Sequence, residues 1–200
     1  MFTFTALQGQ LGNFDTLPDN WIIEWENFVA GGKRNRARRI DTQMVEPLFE
    51  LKHFDGSALP GEVVRLAVRN LLRGYLLRMP TGQAVAHALK LEPLKPSEIE
   101  KVAASVEAPA GGEKQLDVLR EAKFLERTPL WYYILAEAAA RADGQHLGPV
   151  GSTIIAEVLI GLIRRSDDSI LRTKGWKPTL PSAQKDTFTL ADLLKFAGVL

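Results

Sequence analysis

The apolar residues Val64, Ala67, Val68, Leu71, Leu72, Tyr75, Leu76 and Met79 recur at intervals of three and four. Only an α-helix brings such positions onto one broad face, so the pattern predicts a helix over about 62–79. The same period governs most of the chain. Trp21, Trp25, Phe28 and Val29 predict a helix ended by Gly31-Gly32, and Met44, Val45, Leu48 and Phe49 predict a short one. Pro80-Thr81-Gly82 interrupts the long helix, which resumes from Gln83 to Leu89. Ser97 with Glu100 reads as a capping box for Ile99–Val106. After the loop Pro109-Ala110-Gly111-Gly112 comes a helix from Leu116 to Leu125. Thr128 as N-cap with Pro129 behind it predicts a helix running to Arg141. The segment 144–151 is a turn. Ile154–Arg165 is apolar on most sides and is therefore expected in the core. Pro178–Pro181 should be extended, and Thr189 caps a last helix, Leu190–Ala197. The fold class expected is all-α, with room for one small β-hairpin in residues 1–12 or near Trp176.

Two hundred residues with 46% apolar content suffice for a packed core. Lys and Arg number 25 against 24 Asp and Glu, and a net charge of +1 points to neither nucleic acid nor membrane as a partner. The chain has no cysteine, which excludes disulfides, thiolate metal sites and a cysteine nucleophile. Its opening, Met1-Phe2-Thr3-Phe4-Thr5-Ala6, lacks the basic start and apolar stretch of a secretory signal. The most apolar run, Ile154–Ile163, is too short to span a bilayer and contains Glu157, so a soluble chain is expected. The aromatics of the opening have nothing local to bury them, and such a start calls for cover from other residues.

Candidate chemistry is sparse. The three histidines, His53, His87 and His146, do not pair at helical spacing with one another or with a carboxylate, so a metal triad is unsupported. His87 sits in the apolar stretch Ala84–Leu89 and is expected in the core or at its boundary. Neither a nucleophile elbow, a phosphate loop nor a dinucleotide fingerprint occurs. The three glycines of 144–151 lie between helices and fit a tight connection. Lys33, Arg34, Arg36, Arg38 and Arg39 could grip phosphate, but a connector whose arginines pair with nearby acids explains them better at this net charge.

A longer pattern resembles one family. Arg69-Asn70-Leu71-Leu72-Arg73-Gly74-Tyr75, followed by Met79-Pro80-Thr81-Gly82-Gln83, is similar to the helix behind the proximal histidine in haem peroxidases of the animal, cyclooxygenase-like type, and to the proline break that follows it in their bacterial branch. Thr128-Pro129-Leu130-Trp131-Tyr132-Tyr133-Ile134-Leu135, Leu147-Gly148-Pro149-Val150-Gly151 and Phe188-Thr189-Leu190-Ala191-Asp192-Leu193-Leu194 resemble the same branch in the same order. Asn-x-x-Arg alone is weak, whereas the ordered set is fairly specific and covers essentially residues 1–200.

The resemblance implies an all-α haem-peroxidase-like bundle, of which residues 1–200 would be the C-terminal helical portion, truncated at its N-terminus. The parent activity would be reduction of hydrogen peroxide at haem with oxidation of a second donor, a chemistry that belongs to the response to oxidative stress. Haem would be the cofactor. Asn70 would accept the N–H of the proximal histidine, and Arg73, one turn on, would meet a haem propionate. An iron-bound imidazole leaves its second N–H buried and in need of an acceptor, and an asparagine carbonyl is a neutral one, whereas a carboxylate would push the ligand toward imidazolate. No catalytic residue is expected in this chain, because the family's distal histidine and arginine, its calcium loop and its proximal histidine all precede the matched region. The expected partners are the missing N-terminal half, or a second copy, with hydrogen peroxide and a donor of unspecified kind. A reading of another class is a non-catalytic helical binding module that uses the basic connector or the aromatic start as an interface.

Overall fold

The computed structural model describes residues 23–29, 37–51, 61–108 and 112–200. Among them the fold is all-α: seven α-helices, three one-turn 3₁₀ helices and a single isolated bridge between Thr81 and Pro129. No strand forms near Trp176, and the hairpin considered for residues 1–12 lies outside the described residues, as do Trp21, the glycines 31–32 and His53. Two compact units divide the described residues: Arg39–Glu157, and the described residues before Arg39 together with Val158–Leu200.

In the first unit the helices are α1 (Leu66–Leu76), α2 (Gly82–Ala88), α3 (Pro96–Ala104), α4 (Gln115–Glu121), α5 (Leu130–Ala142) and the start of α6 (Pro149–Arg165). The helix expected over 62–79 is broken in two. A 3₁₀ turn, Gly61–Val64, precedes α1, and Arg65 between them is extended. The end of α1 follows from its backbone. Arg78 adopts a left-handed conformation at φ 52°, so that Met79 N–H reaches the carbonyl of Gly74 (2.9 Å) and Arg78 N–H that of Tyr75 (2.9 Å). Proline 80 then forbids continuation.

Helix α3 begins earlier than the Ser97/Glu100 signature suggests. Pro96 takes the first helical position, where its fixed φ and missing N–H are harmless, and Glu98 Oε2 accepts the N–H of Lys95 at 2.8 Å. Helix α5 is the hub on which α1, α2 and α3 pack. Its residue Tyr133 is wholly buried among Ala86, Leu94, Ile99, Val102 and Leu119. The phenol oxygen accepts the N–H of Leu94 at 2.8 Å, which ties the α2–α3 connection to α5. The segment near residue 42 joins this core through Gln115, whose Oε1 accepts from Thr42 Oγ1 (2.9 Å) and Tyr132 Oη (3.0 Å) while its amide donates to the carbonyl of Thr42 (3.0 Å). Arg39 forms an ion pair with Asp143, so this end of the basic connector has the acidic partner expected of a structural role.

The second unit ends on α7 (Leu190–Phe196), capped as expected by Thr189. Asp192 Oδ2 accepts from the Thr189 hydroxyl (2.7 Å) and N–H (2.8 Å), and its Oδ1 accepts from Ala183 N–H (2.9 Å). The hydroxyl first, then the two backbone donors, hold the Asp192 carboxyl below its usual range. Residues 176–182, which include the segment Pro178–Pro181 expected to be extended, form no helix or strand.

One core assignment is corrected. Helix α6 buries only Val150 and Gly151, while Ile155, Val158, Leu159, Ile160, Leu162 and Ile163 are exposed. Its composition reports affinity for an apolar environment but not which surface supplies one. None of the described helices is long and apolar enough to cross a membrane.

Candidate functional site

Asn70 lies on α1, the element whose period is clearest in the sequence. It is half-buried, and its side chain has no hydrogen-bond partner among the described residues. It helps to line a cavity of about 710 Å³ within the first unit. Around it α1 contributes Val68, Leu71, Leu72 and Tyr75, and the break after α1 contributes Met79, Pro80 and Thr81. The opposing wall comes from the α4–α5 connection and the start of α5: Lys123, Phe124, Arg127, Pro129, Leu130 and Trp131. Arg73 is exposed and is not among the lining residues. The structure thus brings Asn70, but not Arg73, to the cavity.

Both walls are pinned. Gly82, the first residue of α2, donates its N–H to the carbonyl of Thr128 at 3.0 Å. Gln83 grips the same residue from its side chain: Oε1 accepts Thr128 N–H (3.0 Å), and Nε2 donates to Thr128 Oγ1 (2.9 Å) and to the carbonyl of Leu125 (3.1 Å). The Thr128 hydroxyl in turn donates to the carbonyl of Phe124 at 2.7 Å. This corrects the sequence assignment of Thr128 as an N-cap. Pro129 occupies the cap position of α5, and Thr128, fully buried, is the clasp between the two walls. The exposed rim residue Lys123 is left-handed at φ 56°, which lets Phe124 N–H close on the carbonyl of Leu119 at 2.8 Å.

Neither of the two described histidines lies at this site. His87 is exposed on α2, contrary to its expected place in or beside the core, because α2 turns Gly82 and Ala86 inward instead. His146 is exposed, its Nδ1 2.8 Å from the carbonyl of Leu147. Among the described residues no group of three or more histidines and carboxylates could hold a metal ion.

A second polar feature lies apart from the cavity. Glu137 on α5 is fully buried, and its Oε2 accepts the N–H groups of Val150 (2.9 Å) and Gly151 (3.3 Å) in the first turn of α6. Burial pushes the Glu137 carboxyl above its ordinary value, against the two backbone donors and Arg141, which pull it down. Oε1 is buried with no partner among the described residues. Gly148 makes this approach possible, since a Cβ there would stand 2.3 Å from Glu137 Cγ. Sequence reading had no handle on Glu137, because a lone carboxylate in a helix resembles any solvated one until its neighbours are known. Lys123 and Arg127, the cations on either side of Phe124, belong to no sequence motif and for that reason do not stand out in the sequence.

Comparison with models of known protein families, with curated proteins and with solved structures finds no match to this chain.

Proposed function

We propose that this chain is the haem-holding helical portion of a peroxidase of the animal type, acting on hydrogen peroxide together with a segment that supplies the axial ligand. The observation that carries the reading is Asn70: a half-buried amide without a partner among the described residues, on a helix whose outward face is apolar. Its carbonyl is free to accept the N–H of an imidazole bound to iron. Arg73, three residues on and exposed, is available to pair with a carboxylate of the cofactor as a charge-assisted partner.

The fit to haem is that of a support, not of a ligand set. Neither described histidine lies at the cavity, so the reading requires an imidazole from another segment. Haem, when bound, supplies the redox chemistry at iron. The chain's own contribution is to orient the imidazole through Asn70, to neutralise a propionate through Arg73, and to exclude water with the apolar face of α1. On that face Leu72, Tyr75 and Leu76 are all exposed. The same exposure also suits a non-catalytic helical module that docks on another polypeptide, which is the second reading.

Haem titration separates the two. The purified chain mixed with haemin should show weak, non-stoichiometric binding and no turnover above free haemin. Addition of a polypeptide carrying the proximal histidine should produce a sharp Soret band at one haem per complex. In that complex Asn70→Asp should lower the Fe(III)/Fe(II) potential, and Asn70→Ala should weaken function roughly 10–100-fold. Both variants matching the wild type would remove Asn70 from the site, and one-to-one haem binding with turnover by the chain alone would overturn the reading.

A further inference from the structure

The cavity beside α1 has a chemistry of its own. Its volume of about 710 Å³ falls in the range of small-molecule sites, and its walls are overwhelmingly apolar. Three aromatic side chains, Tyr75, Phe124 and Trp131, come from both sides, and the flat faces of Pro80 and Pro129 accompany them. Among the described residues, the charged ones that line the cavity are Lys123 and Arg127, both cations. Neither has an ion-pair partner among the described residues, and no carboxylate lines the cavity to neutralise them. An apolar cleft that holds two unneutralised cations complements an apolar body bearing one anionic group. A polyanion such as a nucleotide would require more donors than these walls provide.

We infer that this cavity binds an aromatic carboxylate, its ring system between Tyr75, Phe124 and Trp131 and its carboxylate on Arg127 and Lys123. Offset or edge-to-face packing against the aromatic walls favours a planar ring system over a flexible chain. The guanidinium of Arg127 matches a carboxylate in a bidentate pair, with Lys123 as a second point charge. The site is largely preformed. The Gln83–Thr128 clasp joins the break after α1 to the α4–α5 connection, and left-handed turns at Arg78 and Lys123 fix Met79 and Phe124 on opposite rims. A clasped cleft of this kind loses little conformational freedom on binding. Asn70, on which the haem reading rests, lines the same cavity, but the inference does not depend on haem, since the ligand needs no metal.

The test is calorimetric titration of the full chain with 1-naphthoate and, in parallel, with the uncharged 1-naphthalenemethanol. The expected result is one naphthoate per chain, with the neutral analogue bound at least about tenfold more weakly, and with the naphthoate affinity falling as salt is raised. The double variant K123Q/R127Q alters two exposed side chains, and its melting curve should match the wild type. It should bind the two compounds about equally. Tyr75→Ser, also at an exposed position, should weaken both without changing their ratio. Naphthoate that fails to bind at millimolar concentration, binds at many sites per chain, or is preferred as strongly by the double variant as by the wild type overturns the inference. Because no haem is present, failure here leaves the peroxidase reading standing, and success does not establish it.

Discussion

Replacing Gly82 with alanine places a methyl group where the structure has no room for one. A Cβ at Gly82 would lie 1.9 Å from Cγ of Tyr133, 2.3 Å from its Cβ and 2.4 Å from its Cδ2. Carbon atoms settle at about 3.5–4.0 Å, so one partner must retreat by roughly 1.5–2 Å. Tyr133 cannot swing into solvent. It is wholly buried, and its hydroxyl holds the N–H of Leu94. Overpacking of this kind costs about 1–3 kcal/mol. If Tyr133 yields, Leu94 N–H is orphaned, and if α2 lifts, Gly82 N–H leaves Thr128; either loss adds about 1–3 kcal/mol. The gain in helix propensity is small at the first helical position, so the net destabilisation is about 2–5 kcal/mol. That is a large share of the roughly 5–15 kcal/mol that holds a typical domain together. At about 2–4 °C per kcal/mol for a chain of this size, the melting temperature should fall by about 4–20 °C. The control is Gly161→Ala in α6, where a Cβ would meet nothing within 4 Å. There the lower backbone entropy of the unfolded chain should stabilise by about 0.5–1 kcal/mol. Thermal denaturation followed by circular dichroism reads both. A Gly82→Ala chain that melts within about 2 °C of the wild type would refute the packing of α2 on Tyr133, because no flexible side-chain terminus is available to absorb the methyl group.

Two further outcomes follow from the buried polar contacts. In the folded chain burial raises the Glu137 carboxyl above its ordinary 4.5, so the native state holds that proton more tightly than the unfolded state does. Its contribution to stability is fully present below pH 4.5 and is lost as pH rises from there through the raised folded value. Melting temperatures across that window should therefore decline more steeply for the wild type than for Glu137→Gln, which cannot titrate, and parallel profiles would exclude the assignment. Gln83→Ala deprives the buried Thr128 of the acceptor for its N–H and should destabilise by about 1–3 kcal/mol, read as a lower urea midpoint at unchanged slope. An unchanged midpoint would mean that the clasp across the cavity carries no load.

Local chemistry alone determined much of this molecule. The recurrence of apolar residues at three and four determined that it is helical, since no other backbone geometry places them on one face. Pro80 determined where α1 must have ended, and Thr189 with Asp192 determined where α7 begins, because these signals act through the chain's own nearest backbone groups. What required tertiary structure were matters of partnership. Thr128 has the sequence context of a cap, yet it serves Gln83, 45 residues away, because the Thr81–Pro129 bridge brings α2 against the start of α5. The same closeness explains why residue 82 must be glycine, which a turn-like Pro-Thr-Gly does not reveal. Helix α6 has the composition of a core helix and keeps Ile155, Val158, Leu159, Ile160, Leu162 and Ile163 exposed, since hydrophobicity states a preference for burial without naming the surface that provides it. Asn70 could be singled out by resemblance, but that it lies at an apolar cavity with Lys123 and Arg127 across from it depends on α1 packing on α5, and long-range packing is not encoded in the spacing of any one segment.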